Sequence, residues 1–444
     1  MKDAWTLAIE TLSWIELENL GDSSALLKTM KQLGISDAGI VSEAHKLMME
    51  TIRRRNFIDK IIDSALSPRS IFDLKLGVRS FLRLFTYQTK FFGVSKKEAI
   101  RIASLGRSIL GWRELSPVEE ALAKILALDL EEVVKGFSDE EAIALKTFHP
   151  VWFVKYCINL FGRDESLKLL GYNVKVPPTY IRINSLRGDK EAILKKIDEA
   201  GISVKSVESP FACKVIDTKV PLVKSQPYHE GLFYIQDLSS CFAVEAIRPT
   251  PGSIVLDVCA APGAKTTYLA QFMENRGEIY AIDYSIPRSN VLKSELVRMG
   301  VKIANPIIAD AYKSLPLKTI TDAVLLDPPC SSTGVFWRSP SEKWQTDYKS
   351  ILRIAKIQLA LLDSCSEHVK IGGALFYTTC SITIEENELN IESFLTKHSE
   401  FKLEDVGLNV GCPGLREYKE CRRFYPHIHE SNGFFIAKLR RISE

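Results

Sequence analysis

Apolar residues recur every three or four positions through residues 1–130, and this spacing predicts helices. The segments KDAWTLAIETLSWIELEN and ALLKTMKQLG both show it, and Gly34 is placed to end the second helix. The same spacing continues through residues 70–92 and into SKKEAIRIASLGRSILG. Because no alternating strand pattern interrupts it, residues 1–140 are predicted to form an all-helical domain.

The pattern changes between residues 146 and 245, where short strands and helices are mixed. The stretches HPVWFVKYCINLFG and KEAILKKIDEAG have helical spacing. Four stretches are typical of short strands, namely PTYIRINS, VKSVESP, ACKVID and LFYIQDLS. This mixture predicts a small α+β module over residues 146–245.

In residues 246–444, strand-like runs alternate with helical stretches. The predicted strands are GSIVLDVCA (252–260), GEIYAIDYS (277–285), ANPIIADA (304–311), TDAVLLDPP (321–329), GALFYTTCS (373–381) and GFFIAKLR (433–440). Several are unbroken aliphatic runs, as expected for parallel strands that are buried on both faces. Residues 246–444 are therefore predicted to form an α/β domain with a doubly wound, Rossmann-like sheet.

Composition narrows the class of protein. Hydrophobic residues make up 46% of the chain and charged residues 25%, which is typical of a globular protein. The net charge is only +3, so a surface that binds nucleic acid would have to be a local basic one. The chain has no apolar run near the roughly 18 residues of a membrane span and no signal-peptide pattern. A cytoplasmic protein without membrane contact is predicted.

The nine cysteines include no Cys-x-x-Cys pair, so no metal site is predicted. Most are expected to be small buried hydrophobic residues, namely Cys157, Cys213, Cys241, Cys365, Cys412 and Cys421. Cys330 and Cys380 differ, because both fall at the ends of predicted strands, on the side where doubly wound sheets bind ligands. These two thiols are candidates for chemistry.

A candidate nucleotide site lies in LDVCAAPGAKTTYLAQF (256–272). A strand is predicted to end at Asp257, a loop of small residues follows, and a helix is predicted to begin near Lys265. Asp283 stands 20 residues beyond Gly263, where an acidic residue would hold a ribose. The loop has one glycine and lacks the pyrophosphate fingerprint, so an adenosine cofactor without phosphates, S-adenosylmethionine, fits better. Asp310 is placed to contact the adenine amino group.

The motif Asp327-Pro328-Pro329-Cys330 resembles the catalytic loop of amino-group methyltransferases, except that a thiol replaces their usual aromatic residue. A thiolate that adds to carbon 6 of a pyrimidine activates carbon 5 to attack a sulfonium methyl group. The carbon 5 proton is then removed and the thiolate is expelled. One thiol must attack and the second could assist release, but chemistry alone does not say whether Cys330 or Cys380 attacks. Asp327 could stabilise the adduct at ring nitrogen 3.

Three motifs, DVCAAPGAKT, DPPCSSTG and TTCS, resemble those of the RNA 5-methylcytosine methyltransferases of the RsmB/Nol/Sun type, which are Fmu-like proteins. The segments GVFWRSPSEKW and RFYPHIHESNGFFIAKL resemble the loop after the first cysteine and the closing segment of that family. PPTYIRIN and GLFYIQDLSS resemble its RNA-recognition module. The resemblance covers about residues 146–440.

This resemblance implies roles for individual residues. Cys380 would be the attacking nucleophile and Cys330 the release cysteine, with Asp327 and Lys265 completing the catalytic set and Lys265 pointing toward the base. Ala264 departs from the glycine or serine common in the family, and its extra methyl group is expected to be tolerated. The implied cofactor contacts are Cys259, Ala260, Ala261, Pro262, Gly263, Ala264, Lys265, Asp283, Arg288, Asp310 and Asp327.

The N-terminal region resembles a NusB-like RNA-binding domain, chiefly through Leu82, Arg83, Leu84, Tyr87 and Gln88. Such an extension occurs in the bacterial small-subunit ribosomal RNA enzyme of the family. This favours ribosomal RNA as the partner, with transfer RNA as the alternative. A monomeric enzyme is predicted.

Three other functions are less favoured, namely an amino-group methyltransferase, a non-catalytic RNA-binding or assembly protein and a nicotinamide-dependent dehydrogenase. The two thiols, the strand-end acids and the absent glycine fingerprint argue against these three.

Overall fold

The computed structural model describes residues 1–312, 315 and 317–444. They form two compact units, and the first unit is built from two separate stretches of the chain. The first unit comprises residues 1–176 and 336–347, and the second comprises residues 177–335 and 348–444. The sequence-based division into domains 1–140, 146–245 and 246–444 stays a prediction.

The described part of the first unit is helical, which confirms the helices predicted for residues 1–130. Gly34 ends its helix in the left-handed conformation with a φ of 64°. Large side chains such as Trp5, Phe81 and Phe85 form a buried core. The helices are Lys2–Glu18, Asp22–Leu33, Ala38–Arg53, Arg55–Leu66, Leu76–Thr86, Tyr87–Phe92, Lys96–Leu110, Trp112–Leu115, Glu119–Ala127, Leu130–Val133, Asp139–Lys146, Val151–Phe161, Arg163–Tyr172 and Glu342–Gln345, with short turns at Ile71–Asp73 and Ser116–Val118.

Residues 336–347 are part of the core of this helical unit. Trp337 and Lys343 are fully buried there. The Lys343 ammonium donates hydrogen bonds to the carbonyl oxygens of Arg53 at 2.8 Å and Phe148 at 2.6 Å. The Arg53 guanidinium donates in turn to the carbonyl oxygen of Trp337 at 2.7 Å. Burial lowers the pKa of Lys343 well below its ordinary value.

The second unit begins with a small antiparallel sheet. Its strands lie in the order β2-β3-β1-β4. Ile193 and Ile197 of the helix Lys190–Glu199 pack on this sheet, beside Ile181 and Phe233. The four strands are β1 (Tyr180–Ile183), β2 (Ile202–Ser206), β3 (Ala212–Thr218) and β4 (Phe233–Ile235).

A larger sheet forms the centre of the second unit, in the order β11-β12-β13-β9-β8-β5-β6-β7, with β10 paired to β13. Strands β5 to β9 run parallel to one another, and β13 runs antiparallel to β9. These strands are β5 (Ile254–Val258), β6 (Glu278–Asp283), β7 (Ala304–Ile308), β8 (Thr321–Leu326), β9 (Val369–Thr379), β10 (Phe401–Glu404), β11 (Cys412–Pro413), β12 (Arg422–Phe424) and β13 (Phe434–Arg441).

The helices of the second unit alternate with these strands, as in a doubly wound sheet, and the predicted fold class is confirmed. They are Lys190–Glu199, Gln226–His229, Leu238–Ile247, Ala264–Phe272, Ile286–Met299, Tyr348–Ser366, Glu388–Lys397 and Pro426–His429, with a short turn at Leu222–Lys224. None of the helices in the described residues is both long and apolar enough to span a membrane.

Several strand boundaries differ from the prediction, among them those of β5, β4 and β9. β5 continues past Asp257 to Val258, and the following helix begins at Ala264. β4 ends at Ile235, earlier than the LFYIQDLS pattern suggested, because a helix begins at Leu238 and Asp237 caps it. β9 ends at Thr379, so Cys380 is the first residue after the strand.

Candidate active site

Five parallel strands bring predicted site residues to one edge of the large sheet. Cys259 follows β5, Asp283 ends β6, and Asp310 lies two residues beyond β7. Asp327 directly follows β8, and Cys380 directly follows β9. Because parallel strands point their carboxyl ends in one direction, these residues share the edge where doubly wound sheets bind ligands.

The loop from Cys259 to Lys265 leads from β5 into the helix Ala264–Phe272. Gly263 within it has a φ of 106°, and a Cβ atom there would lie 2.7 Å from Cδ1 of Leu292. Glycine therefore meets both the backbone conformation and the close packing at this position. Ala264 is the first residue of the helix, where an alanine adopts ordinary geometry.

The carboxylate of Asp283 is almost fully buried and binds the backbone of this loop. Its Oδ2 accepts a hydrogen bond from the amide of Ala261 at 3.1 Å, and its Oδ1 accepts one from the amide of Ser285 at 2.9 Å. The Arg288 guanidinium lies 3.8 Å from Asp283 Oδ2 and donates to the carbonyl oxygen of Ala261. Asp283 and Arg288 thus fix the loop at Ala261 from both its amide and its carbonyl group.

A cavity of about 420 Å³ opens beside this loop, within the size range of small-molecule sites. Cys259, Asp283 and Asp310, which are three of the predicted cofactor contacts, line this cavity. Its walls are mainly apolar, which was not predicted, and they include Ile282, Tyr284, Tyr312, Pro329, Ile357 and Leu361. A usable signal was present, since Tyr284 and Tyr312 follow the two predicted acids by one and two positions.

Lys265 and Asp327 form an ion pair next to the two cysteine loops. The Lys265 Nζ atom lies 2.5 Å from Asp327 Oδ2, and the Thr378 hydroxyl donates to Asp327 Oδ1 at 2.9 Å. Burial favours a lower pKa for Lys265, but the charge and hydrogen bond of Asp327 outweigh it and raise the pKa. Lys265 is therefore a firmly protonated cation, and Asp327 is held in place from both of its oxygens.

Cys330 and Cys380 are brought together, and both side chains are only partly buried. Their thiols adjoin, since the Cys380 thiol is the largest cause of a raised pKa of Cys330. The backbone links the two loops, because the amide of Gly334 donates to the carbonyl oxygen of Cys380 at 3.0 Å. The neighbouring Cys380 thiol, together with burial, raises the pKa of Cys330 well above its ordinary value. Cys330 therefore keeps its proton.

The remaining cysteines mostly follow the prediction. Burial is confirmed for Cys157, Cys213, Cys241, Cys365 and Cys421. The prediction is wrong for Cys412, which is only partly buried because it lies in the short strand β11 at the end of the sheet.

The sequence analysis missed a buried polar network beneath the two cysteines. Glu386 lies at its centre, fully buried, and receives hydrogen bonds from the residues that follow both cysteines, Ser331 and Ser381. Thr333 and Ser381 also share a hydrogen bond of 2.9 Å between their hydroxyl groups. The only sequence signal was the density of hydroxyl residues in DPPCSSTG and TTCSIT.

Arg182 of β1 is a second buried group that the sequence analysis missed. Its guanidinium donates to the carbonyl oxygen of Ala264 at 2.7 Å, to the hydroxyl of Thr267 at 2.8 Å and to the side chain of Gln236 at 2.6 Å. These bonds fix the start of the helix Ala264–Phe272 to the small sheet. Arg182 therefore supports the helical end of the Cys259–Lys265 loop.

Two family models match the chain. The model described as 16S rRNA methyltransferase RsmB/F matches residues 244–440. The model of an RsmF/B-like methyltransferase ferredoxin-like domain matches residues 149–221.

Several relatives are named as enzymes that methylate carbon 5 of cytosine in ribosomal or transfer RNA. The 25S rRNA (cytosine-C(5))-methyltransferase nop2 of Schizosaccharomyces pombe is 33% identical over 302 residues, which are 64% of this chain and 50% of the relative. A probable ribosomal RNA small subunit methyltransferase B of Bacillus subtilis is 28% identical over 450 residues and 98% of each chain. The tRNA (cytosine(72)-C(5))-methyltransferase of Pyrococcus horikoshii is 37% identical over 227 residues, 51% of this chain and 57% of the relative. The chain spans between 37% and 50% of the length of four eukaryotic relatives.

Solved structures show the same fold. The crystal structure of a protein named PH0851 superposes with a TM-score of 0.84 at 28% identity, covering 99% of each chain. A methyltransferase homologue from Pyrococcus horikoshii gives a TM-score of 0.62 at 30% identity, covering 69% of this chain and 100% of that one. NSun6 from the same organism, crystallised with SFG, also gives 0.62, at 26% identity over 66% of this chain and 99% of that one.

Proposed function

The chain belongs to the RsmB/F family of methyltransferases, and on that basis we propose that it methylates carbon 5 of a cytosine in RNA, using S-adenosylmethionine and a covalent cysteine–cytosine adduct. The single observation that supports the proposal most is the adjoining pair of Cys330 and Cys380 beside the Lys265–Asp327 ion pair. A methyltransferase that acts on an amino group has no use for two adjoining thiols.

The cavity beside the Cys259–Lys265 loop fits an adenosine-type cofactor. Asp283 at the end of β6 has carboxylate lone pairs for ribose hydroxyls, and Asp310 stands where it could accept from an adenine amino group. SFG, with which the related NSun6 was crystallised, is an analogue of S-adenosylmethionine. Bound there, S-adenosylmethionine would supply an electrophilic methyl group. Arg288 would contribute indirectly by holding the carbonyl group of Ala261.

The thiols would divide the remaining chemistry. Cys380, as its thiolate, would add to carbon 6 of the cytosine, and Asp327 would stabilise the adduct at ring nitrogen 3. After carbon 5 has gained the methyl group, a base such as water must accept the carbon 5 proton, and the electron pair of that C–H bond then expels the Cys380 sulfur from carbon 6. Cys330 adjoins that sulfur, which suits a role in release. Lys265, held cationic beside Asp327, would orient the base.

Ribosomal RNA is the favoured substrate. The Bacillus subtilis relative, a probable small-subunit ribosomal RNA methyltransferase, aligns over 98% of both chains and so includes the N-terminal helical region. Transfer RNA is the second candidate, because the transfer RNA enzyme of Pyrococcus horikoshii reaches 37% identity, although over only 51% of this chain. The target cytosine must leave its base stack in either RNA.

The decisive experiment supplies methyl-labelled S-adenosylmethionine to the full-length protein with ribosomal RNA or transfer RNA as separate substrates. Nucleoside analysis then identifies the methylated atom, and bisulfite sequencing locates it. Label in 5-methylcytosine from the intact protein, and none from Cys380→Ala, would support the proposal. Label on an exocyclic nitrogen would favour an amino-group methyltransferase. RNA binding without any label would favour a non-catalytic binding protein.

A further inference from the structure

Glu386 lies in the segment between β9 and the helix Glu388–Lys397, and it is fully buried. Its Oε2 atom accepts hydrogen bonds from the amide of Ser331 at 2.8 Å and from the side chain of Gln358 at 2.9 Å. Its Oε1 atom accepts from the hydroxyls of Ser381 at 2.6 Å and Thr383 at 2.9 Å, and also from that of Ser331. Five donors on one buried carboxylate compensate for the cost of removing it from water.

These donors come from both cysteine loops. Ser331 is the residue after Cys330, and Ser381 is the residue after Cys380. The two loops are also linked directly, because Thr333 accepts from the amide of Ile382 at 3.1 Å. A single carboxylate therefore bonds to the immediate neighbour of each thiol, although the two loops are 50 residues apart in sequence.

We propose that Glu386 is a positioning residue that fixes the two thiols relative to each other for adduct formation and release. The proposal rests on the proposed function, because it assigns the reacting thiols the roles given above. Glu386 itself does not touch the reacting atoms and acts through Ser331 and Ser381. No acceptor-only group other than a carboxylate could receive all five hydrogen bonds at this point.

The charge of Glu386 is consistent with the roles proposed for the two thiols, attack by Cys380 and release by Cys330. The pKa of Cys330 is raised first by the neighbouring Cys380 thiol, then by burial, and further by the charge of Glu386. Lys265 interacts with Cys380, and Tyr377 interacts with Cys330. The negative charge of Glu386 therefore helps to keep the proton on Cys330.

The test uses Glu386→Gln with Glu388→Gln as its matched control. A glutamine at position 386 can direct its oxygen to the amide of Ser331 and to Gln358, while the hydroxyls rotate to accept from its amino group. Glu388 is also fully buried and begins the helix that follows this segment, but it accepts hydrogen bonds from the amide of Leu415 at 2.9 Å and from Arg423 at 2.6 Å. Both variants lose one buried negative charge, so a general loss of stability affects both.

The first readout is alkylation of the two thiols by iodoacetamide between pH 6 and pH 9, resolved by mass spectrometry. We expect Glu386→Gln to increase labelling of Cys330 relative to Cys380 at the lower pH values, and Glu388→Gln to leave this ratio unchanged. Ser381→Ala, which removes one donor to Glu386, should shift the ratio in the same direction but less, and it serves if Glu386→Gln does not fold. An unchanged ratio in Glu386→Gln, or an equal change in Glu388→Gln, would overturn the proposal.

The second readout is the rate at which the protein forms a covalent complex with RNA, measured in Cys330→Ala with and without Glu386→Gln. Misplacement of the nucleophile by a fraction of an ångström to 1 Å should slow this rate about 10- to 100-fold. Cofactor affinity should be unchanged, because Glu386 does not line the cavity. If the wild-type protein makes neither 5-methylcytosine nor a complex, the proposed function fails, and the alkylation ratio alone still decides the role of Glu386.

Discussion

At the ends of β8 and β9, the two thiols adjoin but differ in the groups that surround them. Cys330 precedes Ser331 and lies within the field of Glu386, whereas Cys380 interacts with the Lys265 ammonium. Both thiols were identified from the sequence, because each follows a buried strand on the ligand side. The difference between their surroundings was not predicted, since it depends on Glu386, which is 55 residues from Ser331 along the chain.

Alanine at the two cysteine positions should give opposite outcomes. Cys380→Ala cannot form the adduct and should lose about 10³-fold or more of the methylation rate. Cys330→Ala should still attack and methylate, but it should stall with Cys380 bonded to the methylated cytosine. Denaturing electrophoresis with labelled RNA would detect that complex only when S-adenosylmethionine is present. A trapped complex in Cys380→Ala and none in Cys330→Ala would reverse the assignment of the two thiols.

Asp283→Ala should weaken the binding of S-adenosylmethionine about 10- to 100-fold, because a hydrogen bond to a charged group contributes about 1.5–3 kcal/mol. Titration calorimetry measures this affinity directly. Glu278→Ala is the matched control, since Glu278 begins the same strand, β6, at the opposite end from the cavity. Equal affinity in a folded Asp283→Ala protein would place the cofactor elsewhere.

Asp257 should make the stability of the second unit depend on pH. Burial raises its pKa to about 7, although the Thr266 hydroxyl and Lys265 oppose the shift. A carboxyl whose pKa is higher in the folded than in the unfolded state stabilises the fold below the unfolded value of about 3.9, and this contribution disappears as pH rises to about 7. The shift of about three pH units corresponds to at most about 4 kcal/mol.

Asp257→Asn should therefore reduce the loss of stability that the wild-type protein shows between pH 4 and pH 7. Urea denaturation at several pH values, followed by circular dichroism, would measure this difference. A variant that loses as much stability as the wild-type protein over this range would show that Asp257 does not hold a proton in the fold.

At the scale of the elements, the strands of the large sheet were predictable because most of them are buried on both faces and appear as aliphatic runs. Strand β7 differs, since it forms an edge of the sheet and contains Pro306, which an edge strand tolerates. The two-residue strand β11 and the three-residue strand β12 were not predicted, because segments this short have no measurable periodicity. Predicted strand ends were displaced by one to four residues; β4, for example, ends four residues early because Asp237 caps the helix that follows.

Gly334 connects the loop of Cys330 to the loop of Cys380 and to the start of β13. A Cβ atom at this position would lie 2.1 Å from the carbonyl oxygen of Gly433 and 2.7 Å from that of Cys380. Gly334→Ala should therefore force the loops apart, lower stability by about 1–3 kcal/mol and reduce the methylation rate. Urea denaturation and the labelled-methyl assay would measure the two effects.

The control for that substitution is Gly171→Ala. Gly171 lies in the helix Arg163–Tyr172, and a Cβ atom there would meet no other atom within 4 Å. Alanine should be neutral or slightly stabilising at this position, by up to about 1 kcal/mol. If Gly334→Ala behaves like Gly171→Ala in both assays, close backbone contact at Gly334 is not needed for the site.

At the scale of the whole molecule, the order of residues along the chain does not match the compact units. The helical character of residues 1–130 followed from their spacing, and the α/β character of residues 246–444 followed from their strands. The sequence pattern did not predict that residues 336–347 belong to the helical unit, because this depends on contacts such as the one between Lys343 and Arg53, which are 290 residues apart. Periodicity reports only on local structure, so a pairing at this distance is outside what a sequence pattern can predict.

This arrangement predicts how the protein responds to loss of its N-terminal region. Deletion of residues 1–176 would expose Trp337 and remove both carbonyl groups that receive the Lys343 ammonium. We expect the resulting protein to aggregate, because a large apolar side chain and an unsatisfied cation lose their burial site together. Simultaneous replacement of residues 336–347 by a glycine-serine linker of equal length should restore a soluble protein, since a flexible loop of 12 residues adds little entropic cost.

Calorimetry with S-adenosylmethionine would then report on the second unit alone, because the residues that line the cavity all lie within it. Affinity close to that of the full-length protein would show that the cofactor site folds independently of the helical unit. The protein that lacks only residues 1–176 could instead be as soluble as the version with the linker and bind S-adenosylmethionine as tightly. Residues 336–347 would then not need the helical unit in order to stay soluble. That outcome would show that the helical region can be removed without other change, and its contribution to the choice of RNA would then be measurable by comparing methylation of ribosomal and transfer RNA with and without it.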